Sequence, residues 1–212
     1  MVLDKEHYIY NRLSRRSIML DIYHFSNPLS TDCLKTEERL LQLSYDLSER
    51  VHLRFIPLLD HHLVAKLTPS YLRDSTTDNN DQKSCHIAMD YKAAQVEGNK
   101  KARRFLINLQ HALTSQAYSL ALVTDIAETA RLNVDDFLVN REATETFQAV
   151  LEDQALAKQM LSKADPCIAI DDPTAIDTQL LTNLSIDNLI ATFAPHCAKS
   201  LAPDILRQHL SI

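Results

Sequence analysis

Four cysteines carry the most reactive side chains in this sequence, and their spacing limits the chemistry they could perform. They stand at positions 33, 85, 167 and 197, with no Cys-x-x-Cys pair and no spacing typical of a zinc site. We therefore expect reduced thiols, no bound metal and a cytoplasmic location.

Ser30 and Cys33 lie in the segment Phe25-Ser-Asn-Pro-Leu-Ser-Thr-Asp-Cys33, where an apolar stretch gives way to a helical pattern. A thiol at a helix N-terminus has a lowered pKa and is a nucleophile. A serine hydroxyl is un-ionised at neutral pH, and no disulfide can close between Ser30 and Cys33. A two-cysteine redox cycle therefore cannot operate at this spacing.

The composition excludes several function classes. Gly98 is the single glycine among 212 residues, so no glycine-rich phosphate loop and no EF-hand loop can be written, and we expect no cofactor. The formal charge of −6 argues against a nucleic-acid partner. No apolar run reaches the ~18 residues of a membrane span, and the charged residues 1–16 lack the apolar stretch of a secretory signal.

Hydrophobic periodicity predicts the elements around the Ser30–Cys33 pair. Residues 17–25 are rich in Ile, Leu, Tyr and Phe and predict a strand. Thr31 is the expected N-cap of a helix whose apolar residues recur every three or four positions. Residues 51–55 alternate apolar with polar and predict a second strand. A strand–helix–strand unit implies that its two strands are parallel.

A helical block follows, and a strand pair with two helices ends the chain. Residues 74–81 are polar and predict a loop. Apolar periodicity predicts helices near 102–113, 120–130 and 144–162, the last of them broken near Asp153. Beyond that block we predict strands at 167–170 and 177–181, a helix capped by Ser185 and a last helix starting at Pro203.

The predicted order is β-α-β, helical block, β-β-α. It matches an α/β fold of the thioredoxin-like type with an inserted all-helical domain. We predict a discontinuous thioredoxin-like domain at 1–62 and 163–212, and the helical insertion domain at 63–162.

The segment ending at Cys33 resembles the F-x-D-P-x-C-x-x-C segment of DsbA-family oxidoreductases. Pro28 matches the family's proline, Ser30 falls on its first cysteine and Cys33 on its second. The resemblance implies that Asp165-Pro166 is the family's cis-proline loop, packed against this degenerate motif. Cys167 would then lie near Cys33, either as a substitute redox partner or as a small buried hydrophobe, and we favour the second interpretation.

Within this superfamily the chain resembles the SpxH (YjbH) group of bacterial adaptors, which present the transcription factor Spx to the ClpXP protease. The resemblance covers roughly residues 17–194 and rests on Asn27–Cys33, on Arg54–Pro57 and on Gly98–Leu106. It implies an adaptor for Spx degradation, with Spx and ClpXP as partners and no catalytic residue. Some members carry a zinc-binding His/Cys-rich N-terminal segment that this chain lacks, so no metal is carried over.

The adaptor interpretation implies a protein–protein surface on the thioredoxin-like face. The residues of the degenerate motif and its preceding loop are the expected contacts: Asn27, Pro28, Leu29, Ser30 and Asp32.

Two enzyme interpretations compete with it. Ser30 resembles the serine with which kappa-class glutathione transferases and 2-hydroxychromene-2-carboxylate isomerases stabilise a bound thiolate, although their Ser-x-Tyr-Ser pattern is absent. Cys33 could alternatively serve a one-cysteine thiol–disulfide oxidoreductase, with or without Cys167.

Overall fold

The computed structural model describes residues 19–47, 50–60, 64, 68, 79–161, 165–197 and 203–211. The strands there are β1 (Met19–Ser26), β2 (Arg50–Pro57), β3 (Cys167–Asp171) and β4 (Gln179–Leu181). The helices are α1 (Thr31–Asp46), α2 (Asn80–Gln95), α3 (Asn99–Leu113), α4 (Leu120–Thr129), α5 (Val134–Arg141), α6 (Thr144–Met160), α7 (Ile186–Phe193) and α8 (Pro203–Leu210). The predicted order of elements is confirmed. Residues 17–18 of the predicted first strand and residues 74–78 of the predicted loop lie outside the described ranges.

The strands form one mixed sheet in the order β2-β1-β3-β4. β1 pairs with β2 in parallel, from Met19 opposite Arg50 to Ser26 opposite Pro57, as the strand–helix–strand unit requires. β3 is antiparallel to β1 and forms a hairpin with β4. β1 is therefore one of the two interior strands, and it leads into the Ser30–Cys33 segment.

Helix α1 begins one residue earlier than the sequence predicts. Thr31 is its first helical residue, and the N-cap is Ser30, which has an extended backbone (φ −91°, ψ 124°). The Ser30 backbone N–H donates to the Asn27 carbonyl at 3.0 Å, which closes the turn before the helix. This turn places the Ser30 hydroxyl at the N-terminal end of the helix. The prediction that Thr31 is the N-cap is therefore wrong.

Helix α6 is continuous through Asp153, so the predicted break is wrong. The Asp153 carboxylate is buried and meets Lys92 Nζ at 2.6 Å and Arg54 Nη2 at 3.3 Å. The neighbouring Gln154 side chain accepts from Leu59 N–H and donates to the Pro57 carbonyl, each at 3.0 Å. These inward-facing polar groups connect α6 to β2 and to α2. Because their polar atoms are paired inside the protein, a polar residue at this position does not interrupt the helix.

A single hydrophobic cluster joins the sheet to the helical block. It contains Leu20 and Ile22 of β1, Leu40 of α1, and buried residues of the block such as Tyr91 and Phe105. Both predicted domain boundaries, 62/63 and 162/163, involve residues outside the described ranges, so the two-domain division stays a prediction. None of the helices in the described part of the chain has both the length and the apolar character needed to cross a membrane.

Candidate functional site

The loop between β1 and α1 is fixed by hydrogen bonds of its own residues. Asn27 Oδ1 accepts from the Leu29 N–H at 2.9 Å, and the Ser30 hydroxyl accepts from the Cys33 N–H at 3.3 Å. The Ser30 oxygen therefore serves as a helix cap at the position where the DsbA-like motif has its first cysteine. It satisfies a backbone donor that the helix itself leaves unpaired.

The Cys33 thiol is shielded from solvent and protonated near neutral pH. The residue is 4% exposed. Burial raises the pKa of the thiol, the Glu37 and Asp32 side chains raise it as well, and hydrogen bonding at Asn27 and Ser30 offsets only part of this. A protonated, buried thiol is a poor nucleophile.

Cys167 is a separate buried thiol. It lies opposite Phe25 at the start of β3, in a small apolar cluster that includes Ile56 and Ala169 but not Cys33. Burial raises its pKa to about 11, and all four cysteines are free and buried. These features fit the interpretation of Cys167 as a small buried hydrophobe.

Pro166 stands beside the degenerate motif, as the resemblance implies. It lines a groove of about 450 Å³ together with Ser30 and Cys33. The Asp165–Pro166 bond is trans, since no peptide bond between described residues is cis. The loop therefore has the expected place without the cis bond of the DsbA family.

This groove runs along the first half of α1. One wall consists of α1 residues, and the other consists of the segments that flank the β3–β4 hairpin. Its lining residues are Ser30, Asp32, Cys33, Lys35, Thr36, Arg39, Pro166, Thr182 and Leu184. The sequence pointed to Ser30, Asp32 and Cys33 on the α1 side and to Pro166 on the opposite wall. Thr182 and Leu184 could not be assigned from the sequence, because their place depends on strand pairing.

The remaining predicted contact residues lie on the other side of Ser30. A cavity of about 70 Å³ separates the loop from the end of α3, lined by Pro28, Leu29, Ser30, Thr31, Leu34, Gln110, Leu113 and Thr114. Asn27 lines neither space and is exposed. The structure thus divides four of the five predicted contacts between two neighbouring sites that share Ser30, and leaves Asn27 outside both.

A buried polar cluster beneath the motif was not predicted. His24 of β1 and Glu37 of α1 are fully buried, with His24 Nδ1 and Glu37 Oε1 3.7 Å apart. Ser26 and Gln110 lie next to Glu37, and none of these four side chains has a full set of partners among the described residues. One signal was available: Glu37 falls between Leu34 and Leu40 on the apolar face of the predicted helix.

Burial sets the protonation of this pair. It lowers the pKa of His24 to about 3, and it raises the pKa of Glu37 to about 8, with the neighbouring polar side chains of Ser26 and Gln110 acting in the opposite direction. Both groups are neutral near pH 7, because full burial penalises each charged form. Within the described residues no group of three or more His, Cys, Asp or Glu side chains is placed to hold a metal ion.

Solved structures share this fold at low sequence identity. BdbD from Bacillus subtilis has a TM-score of 0.57 and 17% identity, covering 84% of this chain and 86% of that one. A putative protein disulfide isomerase from Nitrosomonas europaea has a TM-score of 0.56 and 13% identity, covering 91% and 96%. At such identities the likeness concerns the fold alone.

Two sequence comparisons identify relatives and a family for this chain. The ClpXP adapter protein SpxH from Staphylococcus aureus is 22% identical over 151 residues, which are 70% of this chain and 53% of the relative. The chain thus spans about half the length of the curated relatives that it matches. A family model described as thioredoxin matches residues 23–186. The chain therefore belongs to this thioredoxin family, Thioredoxin_5, and it resembles the ClpXP adapter protein SpxH.

Proposed function

We propose that this chain is an adaptor that binds the transcription factor Spx and promotes its degradation by the ClpXP protease. It performs no redox catalysis at the Ser30-Thr31-Asp32-Cys33 motif. The similarity to the ClpXP adapter SpxH supports the adaptor role. The proposal places the protein in the cytoplasm, with no nucleic-acid or membrane partner.

The state of the Ser30–Cys33 motif is the observation that carries this proposal. The Ser30 oxygen is used as a helix cap, and the Cys33 thiol is buried with a raised pKa. Thiol–disulfide exchange requires an accessible thiolate, and neither side chain supplies one. The motif retains a hydrogen-bonded turn and a capped helix start beside an open groove. This arrangement is suited to binding a protein partner.

The groove and the adjoining loop are the proposed contact surface for Spx. Asp32 and Asn27 are exposed, and Leu29 and Ser30 are partly exposed, so these four side chains are accessible to a partner. Pro28 is buried and acts by shaping the loop. A rigid loop loses little conformational freedom on association, which favours binding.

Degradation of Spx by purified ClpXP, with and without this chain, tests the proposal. We expect Spx to disappear faster when the chain is present. Thr182→Trp, which fills the groove, should remove the acceleration, whereas the matched control Thr144→Trp at an exposed position of α6 should retain it. Unchanged degradation with the wild-type chain, while ClpXP degrades a control substrate, contradicts the proposal.

Two assays address the enzyme alternatives. A kappa-type transferase would turn over glutathione with a chlorinated aromatic substrate and lose that activity in Ser30→Ala. A thiol oxidoreductase would reduce insulin and lose that activity in Cys33→Ala. We expect neither activity in the wild-type chain.

A further inference from the structure

We propose that the groove beside α1 binds an extended acidic segment of the protein partner, in which two carboxylates flank one apolar residue. This inference rests on the proposed function, because it specifies the chemistry of the segment that the adaptor holds. The groove has a volume of about 450 Å³ and carries three charged side chains, Asp32, Lys35 and Arg39. Two of the three are basic.

Arg39 is held in an orientation suited to binding a carboxylate. Its Nε donates to the Leu210 carbonyl at 3.1 Å, which ties the guanidinium to the end of α8. Among the described residues, neither terminal nitrogen of Arg39 has a hydrogen-bond or ion-pair partner. A guanidinium fixed at one nitrogen loses little freedom on binding, and its two remaining nitrogens match the two oxygens of a carboxylate.

Lys35 supplies the second positive charge, one helical turn before Arg39. Its Nζ lies 3.8 Å from Asp32 Oδ1, with side chains 58% and 93% exposed. An ion pair this exposed stabilises weakly, so Lys35 remains able to bind a partner's carboxylate. The two basic side chains outnumber Asp32, which gives the groove wall a positive balance.

The spacing of the two basic residues matches an extended peptide. Four residues of α-helix advance about 6 Å, and side chains two apart in an extended chain are about 6.6 Å apart on one side. A segment running along α1 therefore presents two carboxylates, at positions i and i+2, to Lys35 and Arg39. Its intervening side chain points to the opposite wall, where Pro166 and Leu184 are apolar.

Labelled peptides test this assignment directly. The probe is a nine-residue fluorescent peptide with Glu-Val-Glu at its centre and serine elsewhere; the comparison peptides carry Gln-Val-Gln and Lys-Val-Lys. Fluorescence anisotropy with the whole chain should give the Glu peptide an affinity about tenfold above that of the Gln peptide. This preference should decline with added salt.

Charge reversal on the protein should reverse the preference. In Lys35→Glu/Arg39→Glu the Glu peptide should lose its advantage, and the Lys peptide should bind better than to wild type. Lys100→Glu/Arg104→Glu is the matched control, since it reverses an exposed basic pair of the same spacing on α3. Lys35→Glu alone should lower the affinity for the Glu peptide by a smaller factor. Because Lys35 is exposed, this single variant tests the charge effect without the risk that a change at Arg39 disturbs folding.

Equal affinities for the Glu and Gln peptides, or the same loss in both double variants, overturn the acidic-segment assignment. Spx degradation separates this failure from that of the proposed function. If Lys35→Glu/Arg39→Glu accelerates Spx degradation as wild type does while Thr182→Trp does not, the acidic-segment inference alone is wrong. If the wild-type chain gives no acceleration, the adaptor function itself is wrong.

Discussion

At the scale of single residues, His24 and Glu37 are a neutral pair enclosed beneath the Ser30–Cys33 motif. Their side chains come within 3.7 Å of each other and are fully buried. Their altered pKa values make stability depend on pH, with opposite signs for the two groups.

For Glu37, the folded pKa of about 8 exceeds the ordinary value of 4.5. Its contribution to stability is therefore fully present below pH 4.5 and is lost as the pH rises through 8. We expect wild type to lose stability relative to Glu37→Gln across this window, by up to about 1.4 kcal/mol per pH unit. Urea denaturation at several pH values measures this difference.

The matched control is Glu128→Gln, an exposed residue of α4, which should show no such slope relative to wild type. Parallel pH profiles for wild type and Glu37→Gln would contradict the buried, protonated state of Glu37. For His24 the sign is opposite, because its folded pKa of about 3 lies below the ordinary 6.5. Its contribution is present above pH 6.5 and is lost as the pH falls through 3.

The sequence identified the residues of the motif but not those that surround it. Ser30, Cys33 and Pro166 were found because short-range spacing and resemblance identify them. Lys35 and Arg39 resemble any solvated charges on a helix until the opposite groove wall is known. His24 and Glu37 were missed because their proximity depends on how β1 packs against α1, a contact that hydrophobic periodicity does not specify.

At the scale of the elements, the start of α1 depends on one side-chain cap. Ser30→Ala removes the oxygen that accepts the Cys33 N–H, and we expect a loss of about 1 kcal/mol in the free energy of unfolding. Ser30→Asp restores an acceptor at the same position and should recover most of this loss. Chemical denaturation of the three proteins checks the order, and a Ser30→Ala variant as stable as wild type would argue against the cap.

The attachment of α6 to α2 and β2 gives a second prediction. Asp153→Ala leaves the largely buried Lys92 without the carboxylate that it meets at 2.6 Å, and removal of one partner from a buried ion pair costs about 3–5 kcal/mol. Glu152→Ala, at the exposed neighbouring position, should cost well under 1 kcal/mol. Thermal and urea denaturation compare the two, and equal costs would show that the Asp153 pairing contributes little.

Strong hydrophobic periodicity made most elements predictable. The strand–helix–strand unit, helices α3, α4 and α6, and the C-terminal hairpin all follow from it. Helix α5 was missed because Phe137 is its single buried residue, which leaves almost no apolar stripe. The false break at Asp153 came from treating a polar residue as exposed, whereas its partners on β2 and α2 are far away in sequence.

At the scale of the whole molecule, the degenerate motif sits between two spaces that different parts of the chain complete. The sheet and its hairpin close the groove on one side of Ser30, and the helical block closes the smaller cavity on the other. The shared hydrophobic cluster holds these parts together. The groove wall formed by α1 carries two basic side chains and one acidic side chain, and this is the surface at which we propose that a partner's segment binds.

The initial rate of Spx loss, with ClpXP and either the wild-type or the Cys33→Ala chain, tests most directly whether this protein acts by binding alone. We predict that both chains accelerate the loss to the same extent, because the Cys33 thiol is buried and protonated. Acceleration by wild type that disappears in a folded Cys33→Ala chain would mean that the thiol takes part in the function, and would contradict this account.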